Sequence, residues 1–324
     1  MQTQQLGQST LDITRIGLGA WAIGGAWRFG WGPQDDTDSI AAIRRAIARG
    51  LDWIDTAPAY GLGRSEAVVG EALRTVPARE RPYVFTKCSL VWDEQGNITH
   101  SLRPESIRRE CEASLTRLGI ERIDLYQIHW PRWAASPPEH DPGRLEEAWQ
   151  TMADLRREGK VRYLGASNFD TEQLARVHAI APVTSLQPPY SLLRRDVEHR
   201  ELPWCREHGV GVIVYSPMQS GLLSGTMTRE RIASLPEDDW RRKAVWFNEP
   251  HLTRALGLVD VLRDIAARHH CTVAEVAIAW TLRHPAVSGA IVGGRRPEQI
   301  DGFIGAASLE LTEADLAEID RTIG

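Results

Sequence analysis

Cysteine is scarce in this chain: Cys88, Cys111, Cys205 and Cys271 lie far apart, and none forms the C-x-x-C pairing of a zinc or redox motif. Four reduced thiols and no disulfide framework are therefore expected. Extended basic blocks are also missing. Arg241-Arg-Lys243 and Arg295-Arg296 are too short to make an electrostatic track, and the net charge is -5, so no nucleic-acid partner is expected. The N-terminus, Met1 to Thr10, has neither a basic start nor an apolar stretch, so no secretory leader is read and a cytoplasmic enzyme is the default expectation. No Pro/Gly/Ser linker, low-complexity tract or short-period repeat divides the 324 residues, which are read as one domain over 1–324. The pair His269-His270 is the nearest thing to a metal motif, but adjacent helical residues point to different faces, so both are expected to be solvated and no metal is expected.

What is present is a regular alternation. A hydrophobic fraction of 42% with 25% charged residues suits a globular chain with a substantial core rather than a disordered or membrane protein. After an opening hairpin around Leu6-Gly7 and Leu11-Ile13, short apolar runs at 16–18, 53–55, 83–87, 125–129, 163–167, 185–187, 211–215 and 290–292 read as eight strands. Between them stand segments of helical period. Residues 38–49 put Ile40, Ile43, Ala46 and Ile47 on one face and stop at Gly50, and 104–118 opens with proline in its first turn. Further helices are read at 65–73, 144–158, 171–179, 203–208, 254–269, 273–282 and 312–323, with loops at 89–100, 131–142 and 226–250. Eight strand–helix units predict a closed (β/α)8 TIM barrel, parallel throughout, with a short N-terminal β-hairpin and an extra C-terminal helix.

Four polar residues fall at or just beyond three of these strand ends: Asp55, Tyr60 in the turn that follows, Lys87 and His129. Barrel side chains converge at the C-terminal ends of the strands, so the four can meet around one reacting atom. A tyrosine, with a pKa of about 10, is a weak acid at neutral pH, and a nearby ammonium lowers that value. Lys87 can supply the ammonium, Asp55 can hold it in place, His129 can donate to a substrate oxygen, and Tyr60 then becomes a proton donor. Singly, each has a bland reading: a helix N-cap, a solvated strand end, a satisfied core histidine, a packing aromatic. A site that offers a proton to a carbonyl oxygen still needs a nucleophile for carbon, and hydride from a nicotinamide would meet that need.

At these residues the chain resembles the aldo-keto reductase family, whose tetrad is Asp, Tyr, Lys and His in this order. The match lies in Gly50-Leu-Asp-Trp-Ile-Asp-Thr-Ala-Pro-Ala-Tyr-Gly61 with Ser65-Glu66 and Gly70, in Thr86-Lys87, and in Asp124-Leu-Tyr-Gln-Ile-His129. The resemblance implies Ser167, Asn168 and Gln187 on the nicotinamide carboxamide and Tyr215 stacked on its ring. It implies Ser216, Pro217, Met218, Gly221, Leu222 and Gly225 along the pyrophosphate, and Gly293, Gly294, Arg295 and Gln299 at the adenosine end. Ala20, Trp21 and Asp55 join the cofactor contacts, and Trp21, Trp92 and Trp130 are expected to line an apolar substrate pocket. Phe303 stands where the family usually has asparagine, Thr226 replaces a common lysine, and Gln299 an arginine of some members. Arg295 suits a 2′-phosphate and makes NADP the first expectation, but it could equally stack on adenine, which keeps NAD open.

The expected activity is NAD(P)-dependent interconversion of an aldehyde or ketone and an alcohol, with a small carbonyl or alcohol as partner. A nicotinamide-binding regulatory subunit of the channel β-subunit type is the alternative. A Schiff-base lyase using Lys87 is a third reading, opposed by Asp55, which would keep the lysine charged. The spacing Gly17-x-Gly19-x-x-Ala22 fits a loose dinucleotide fingerprint, but a loop rather than a helix is expected after it. Substrate identity and oligomeric state are not legible.

Overall fold

A computed structural model describes residues 1–136 and 140–323; Pro137 to Glu139, within the 131–142 loop, and Gly324, one residue beyond the last helix, lie outside the described residues. Its centre is a closed, all-parallel barrel. The chain opens with an antiparallel hairpin, β1 (Thr3–Gln5) and β2 (Asp12–Thr14). Then come β3 (Ile16–Gly19), α1 (Asp36–Ala48), β4 (Trp53–Asp55), α2 (Arg64–Arg74) and β5 (Tyr83–Cys88). A second hairpin, β6 (Leu90–Trp92) and β7 (Ile98–His100), precedes α3 (Pro104–Leu118), β8 (Ile123–Ile128), α4 (Leu145–Arg157), β9 (Val161–Ser167), α5 (Thr171–His178) and β10 (Ser185–Gln187). The rest is α6 (Glu201–Glu207), β11 (Gly211–Val214), α7 (Arg229–Ala233), α8 (His251–Arg268), α9 (Val273–Leu282), β12 (Val287–Gly293), α10 (Pro297–Asp301) and α11 (Glu313–Ile323). Each of the eight strands read from the sequence is a barrel stave, in the cyclic order β3-β4-β5-β8-β9-β10-β11-β12.

Local chemistry explains the element ends. Asp35 caps α1 by accepting from Thr37 N (2.7 Å), which starts the helix two residues before the apolar period does. Asp170 with Gln173 and Thr272 with Glu275 form capping boxes on α5 and α9, and Gly119 ends α3 at φ 64°. Two layers of apolar side chains hold the barrel. One lies between strands and helices, including Ile43, Val69, Ile107, Trp149 and Leu262. The other fills the interior with Leu6, Leu11, Ile13, Trp53, Phe85, Leu125, Ile213 and Ile291, the first three contributed by the hairpin segment. Trp53 Nε1 donates to Thr14 O (2.8 Å), and a Cβ on Gly17 would sit 2.2 Å from the Trp53 ring. Gly17 is therefore a packing glycine, and only a 3-10 turn (Ala22–Gly24) follows Gly19, in place of the helix a dinucleotide fingerprint requires.

Three expectations are corrected. Residues 89–100 form the β6–β7 hairpin rather than a loop, because Asp93 Oδ1 accepts from Gln95 N and Asn97 N and Gly96 takes φ 80°, closing a tight turn. The 226–250 segment carries α7 and two 3-10 turns, since Met227, Ile232 and Phe247 pack with Leu222, Leu252 and Ala255. His269 is held rather than solvated: its Nε2 pairs with Asp315 Oδ2 at 2.7 Å. Among the described residues no cluster of three metal-ligating side chains occurs, and no helix is long and apolar enough to cross a membrane.

Candidate active site

The four strand-end residues meet. Lys87, wholly buried at the end of β5, donates from Nζ to Asp55 Oδ1 (2.6 Å), Thr56 O (2.9 Å) and Tyr60 Oη (3.2 Å). The remaining Asp55 oxygen, Oδ2, accepts from Gln187 Nε2 (2.8 Å) and Gln127 Nε2 (3.2 Å). His129 follows β8, and its ring stands edge-on to Tyr60 with centroids 5.6 Å apart. Parallel register explains the meeting: Asp55 pairs with Phe85 and Lys87 with Gln127, so successive staves deliver their last residues to one rim. Gln127 was not singled out from the sequence. Its signal was an amide two residues before His129, hence on the same face of the strand.

The electrostatics differ from the expectation for Tyr60. Burial, and then the Asp55 charge, raise its phenol well above 10 rather than lowering it, because the Lys87 ammonium is matched by the carboxylate beside it. Burial pulls Lys87 down, opposed by Asp55 and Glu66, and burial plus the Lys87 charge push His129 well below 6.5. Tyr60 thus holds its proton and His129 is neutral across the physiological range. The Schiff-base reading loses its nucleophile: Lys87 lies behind Tyr60, outside the cavity lining, and is paired to Asp55.

A cavity of about 870 Å³ opens over Asp55, Tyr60 and His129. Ser167, Asn168, Gln187 and Tyr215 line one side and are already bonded together. Ser167 Oγ donates to Gln187 O (2.9 Å), Asn168 Nδ2 to His129 O (3.0 Å), and Tyr215 Oη to Asn168 Oδ1 (2.8 Å). Ser216, Pro217, Met218 and Gly221 continue the wall, with Ser216 in the left-handed region at φ 56°, and Gly293, Arg295, Gln299 and Phe303 close its far end. A dinucleotide fits this donor set: amide and hydroxyl groups beside an aromatic face near the acid, then a glycine-bearing loop, then an arginine. The Arg295 guanidinium, however, is engaged. Its Nε donates to Gln34 Oε1 (2.5 Å), Nη1 to Trp31 O (3.2 Å) and Nη2 to Pro33 O, while Gln34 Nε2 donates back to Arg295 O (3.0 Å).

Five expected cofactor or substrate residues do not line the cavity. Ala20 is buried behind it, its N–H donating to Asp55 O (2.8 Å). Leu222 belongs to the apolar cluster beneath the 226–250 segment, Gly225 packs on Val273, and Gly294 packs on Ile300. Trp92 has the Arg117 guanidinium over its ring at 6.0 Å, and its hairpin neighbours Leu90 and Ile98 face the cavity instead. Trp21 and Trp130 do line it, within a larger aromatic wall that the sequence left unassigned. Trp27 lies 6.1 Å from the Tyr60 ring, Trp21 lies 5.0 Å from Trp31 and 6.1 Å from Trp240, and Phe29 joins Trp133 at 6.0 Å. The density of aromatics in Trp27-Arg-Phe-Gly-Trp31 was the available signal.

The family model described as the Aldo/keto reductase family matches residues 15–323. The chain is 36% identical over 326 residues to the NADH-specific methylglyoxal reductase of Escherichia coli (strain K12), covering 97% of this chain and 96% of that protein. It is 35% identical to the aldo-keto reductase YhdN of Bacillus subtilis (strain 168), covering 100% of this chain and 94% of that one. Among solved structures, the glycerol dehydrogenase AKR11B4 from Gluconobacter oxydans superposes with a TM-score of 0.88 at 34% identity, covering 99% of this chain and 95% of that one.

Proposed function

The chain belongs to the aldo/keto reductase family, and from that premise we propose that it reduces an aldehyde or ketone to its alcohol with Tyr60 as the proton donor. One observation carries the assignment: a buried Lys87–Asp55 pair stands 3.2 Å from the Tyr60 hydroxyl, with the His129 ring beside it on the cavity floor. A bound nicotinamide dinucleotide supplies the hydride. The chain does the rest. His129, neutral, donates to the carbonyl oxygen and aligns it, and Tyr60 Oη gives that oxygen a proton as negative charge develops there. Lys87 then donates to the phenolate oxygen and stabilises it, while Asp55, oriented by Gln127 and Gln187, keeps Lys87 charged and in place. Desolvation of the site strengthens each of these interactions.

For the cofactor, Ser167, Asn168 and Gln187 would hold the carboxamide and Tyr215 would stack on the ring. Arg295 first pointed to NADP. Because three of the five N–H donors of its guanidinium go to Gln34 and the carbonyls of Trp31 and Pro33, we infer a preference for NADH, the cofactor named for the Escherichia coli relative. The aromatic wall over Tyr60 favours carbonyl compounds with an apolar body. Tyr60→Phe tests the central assignment: kcat should fall at least about a hundredfold, since general acid catalysis contributes roughly 10²–10⁴, while dinucleotide affinity, followed by tryptophan quenching, stays unchanged. Turnover at the wild-type rate would refute it.

A further inference from the structure

Directly after the lysine strand, Ser89 is fully buried and adopts φ 82°, a left-handed conformation that a serine keeps only when its surroundings over-determine it. Those surroundings are polar and specific. Its N–H donates to Glu110 Oε2 (2.8 Å) on α3, and the other Glu110 oxygen accepts from Ser106 Oγ (3.0 Å). The Ser89 hydroxyl staples the next strand end in both directions, donating to Trp130 O (3.2 Å) and accepting from Trp130 N (3.3 Å). Its carbonyl accepts from Ser101 N (3.0 Å), and His100 Nε2 also bonds Trp130 O (2.8 Å). His129 is the residue between these anchors: its own N–H goes to Cys88 O (3.0 Å) and its carbonyl to Asn168 Nδ2 (3.0 Å).

We propose that Glu110 is a positioning residue for carbonyl reduction: through Ser89 it fixes the His129–Trp130 peptide, and with it the aim of the imidazole at the substrate oxygen. The proposal rests on the reading of His129 as the donor to that oxygen. A carboxyl is used on the apolar side of α3 although burial opposes it, pushing its pKa up to about 8. One side chain thus holds both the Ser89 N–H and the Ser106 hydroxyl, one on each carboxyl oxygen. An aliphatic residue would leave the Ser89 N–H and the Ser106 hydroxyl without partners and free the strained serine to relax. Glutamine keeps an oxygen for the Ser89 N–H and sets an N–H against Ser106 Oγ, which can accept as well as donate.

The test compares Glu110→Leu, Glu110→Gln and Ser89→Ala by single-turnover oxidation of the bound reduced dinucleotide at pH 7. Glu110→Leu should slow the step about tenfold or more, because small misplacements of an aligning group are costly. Ser89→Ala should slow it in the same direction, and Glu110→Gln should restore it to within about twofold of wild type. Dinucleotide affinity should not move in any of them, which separates a displaced His129 from a general loss of structure. A wild-type rate in Glu110→Leu, or a Glu110→Gln rate as slow as the leucine variant, overturns the proposal. If the leucine variant does not fold, a wild-type rate in Ser89→Ala overturns it instead. Tyr60→Phe runs alongside: full turnover there would bring down the reading of the site itself, whereas an inactive Tyr60→Phe with a fast Glu110→Leu removes only the role of Glu110.

Discussion

Replacing Lys87 by methionine should separate what the buried ion pair does for stability from what it does for turnover. At 2.6 Å the attraction between Lys87 and Asp55 is about 6 kcal/mol at an effective dielectric of about 20. Each ion, however, gives up several kcal/mol of hydration on burial, so the pair contributes little beyond what two well-packed neutral side chains would. Breaking it from one side is different. In Lys87→Met the carboxylate keeps two amide donors on Oδ2, from Gln127 and Gln187, but loses the ammonium on Oδ1. The cost should fall near the lower end of the roughly 3–5 kcal/mol typical of an orphaned buried charge. Asp55→Asn takes the counter-charge from the buried ammonium and should cost a similar amount. The double variant Asp55→Asn/Lys87→Met should recover most of the loss, leaving a coupling energy of about 2 kcal/mol or more in a urea-denaturation cycle. Activity should not recover: kcat/KM should stay down by at least about a hundredfold in all three. Singles whose losses simply add in the double, or a Lys87→Met as stable as wild type, would refute the reasoning.

Two further outcomes follow from the site. Gln34→Ala removes one acceptor from the Arg295 guanidinium and should raise the ratio of NADPH to NADH affinity by about tenfold, the equivalent of roughly 1.4 kcal/mol; titration by tryptophan quenching measures it, and an unchanged ratio would show that Gln34 does not restrain Arg295. His129 is held well below 6.5, so kcat/KM for reduction should stay level through pH 6.5. Its stability contribution has the opposite pH sense to a salt-bridged histidine: the unfolded chain binds the proton first, so stability should fall as pH drops below about 6.5. A histidine-like break in kcat/KM at pH 6.5, absent in His129→Gln, would contradict this.

The barrel was legible because strand and helix leave different periods, and Gly50 and Pro104 punctuate them. Asp55, Lys87 and His129 stood out because each is polar at the end of an apolar run. Other features escaped for physical reasons. Asp93 and Gly96 turn 89–100 into a hairpin through side-chain-to-backbone bonds that carry no hydrophobic period. Trp92 and Trp130 look alike in sequence, and that Trp130 lines the cavity while Trp92 lies under the Arg117 guanidinium, 25 residues away, is visible only in the fold. The Tyr60 phenol was expected to fall because Lys87 is cationic, yet its shift depends on how far Asp55 cancels that charge and on how deeply the hydroxyl is buried.

By itself, then, the chain's order of residues determined the eight-fold alternation, the family and the four polar side chains of the candidate site, since all of these are written in local period and local motif. The tertiary structure alone decided which groups those side chains spend their hydrogen bonds on. Gln127 and Gln187 converge on Asp55 across three staves, Gln34 meets Arg295 across 261 residues, and Glu110 reaches Ser89 from a helix outside the barrel. Hydrogen bonds and desolvation act over a few ångströms, and distances of that size between remote residues exist only once the barrel has closed.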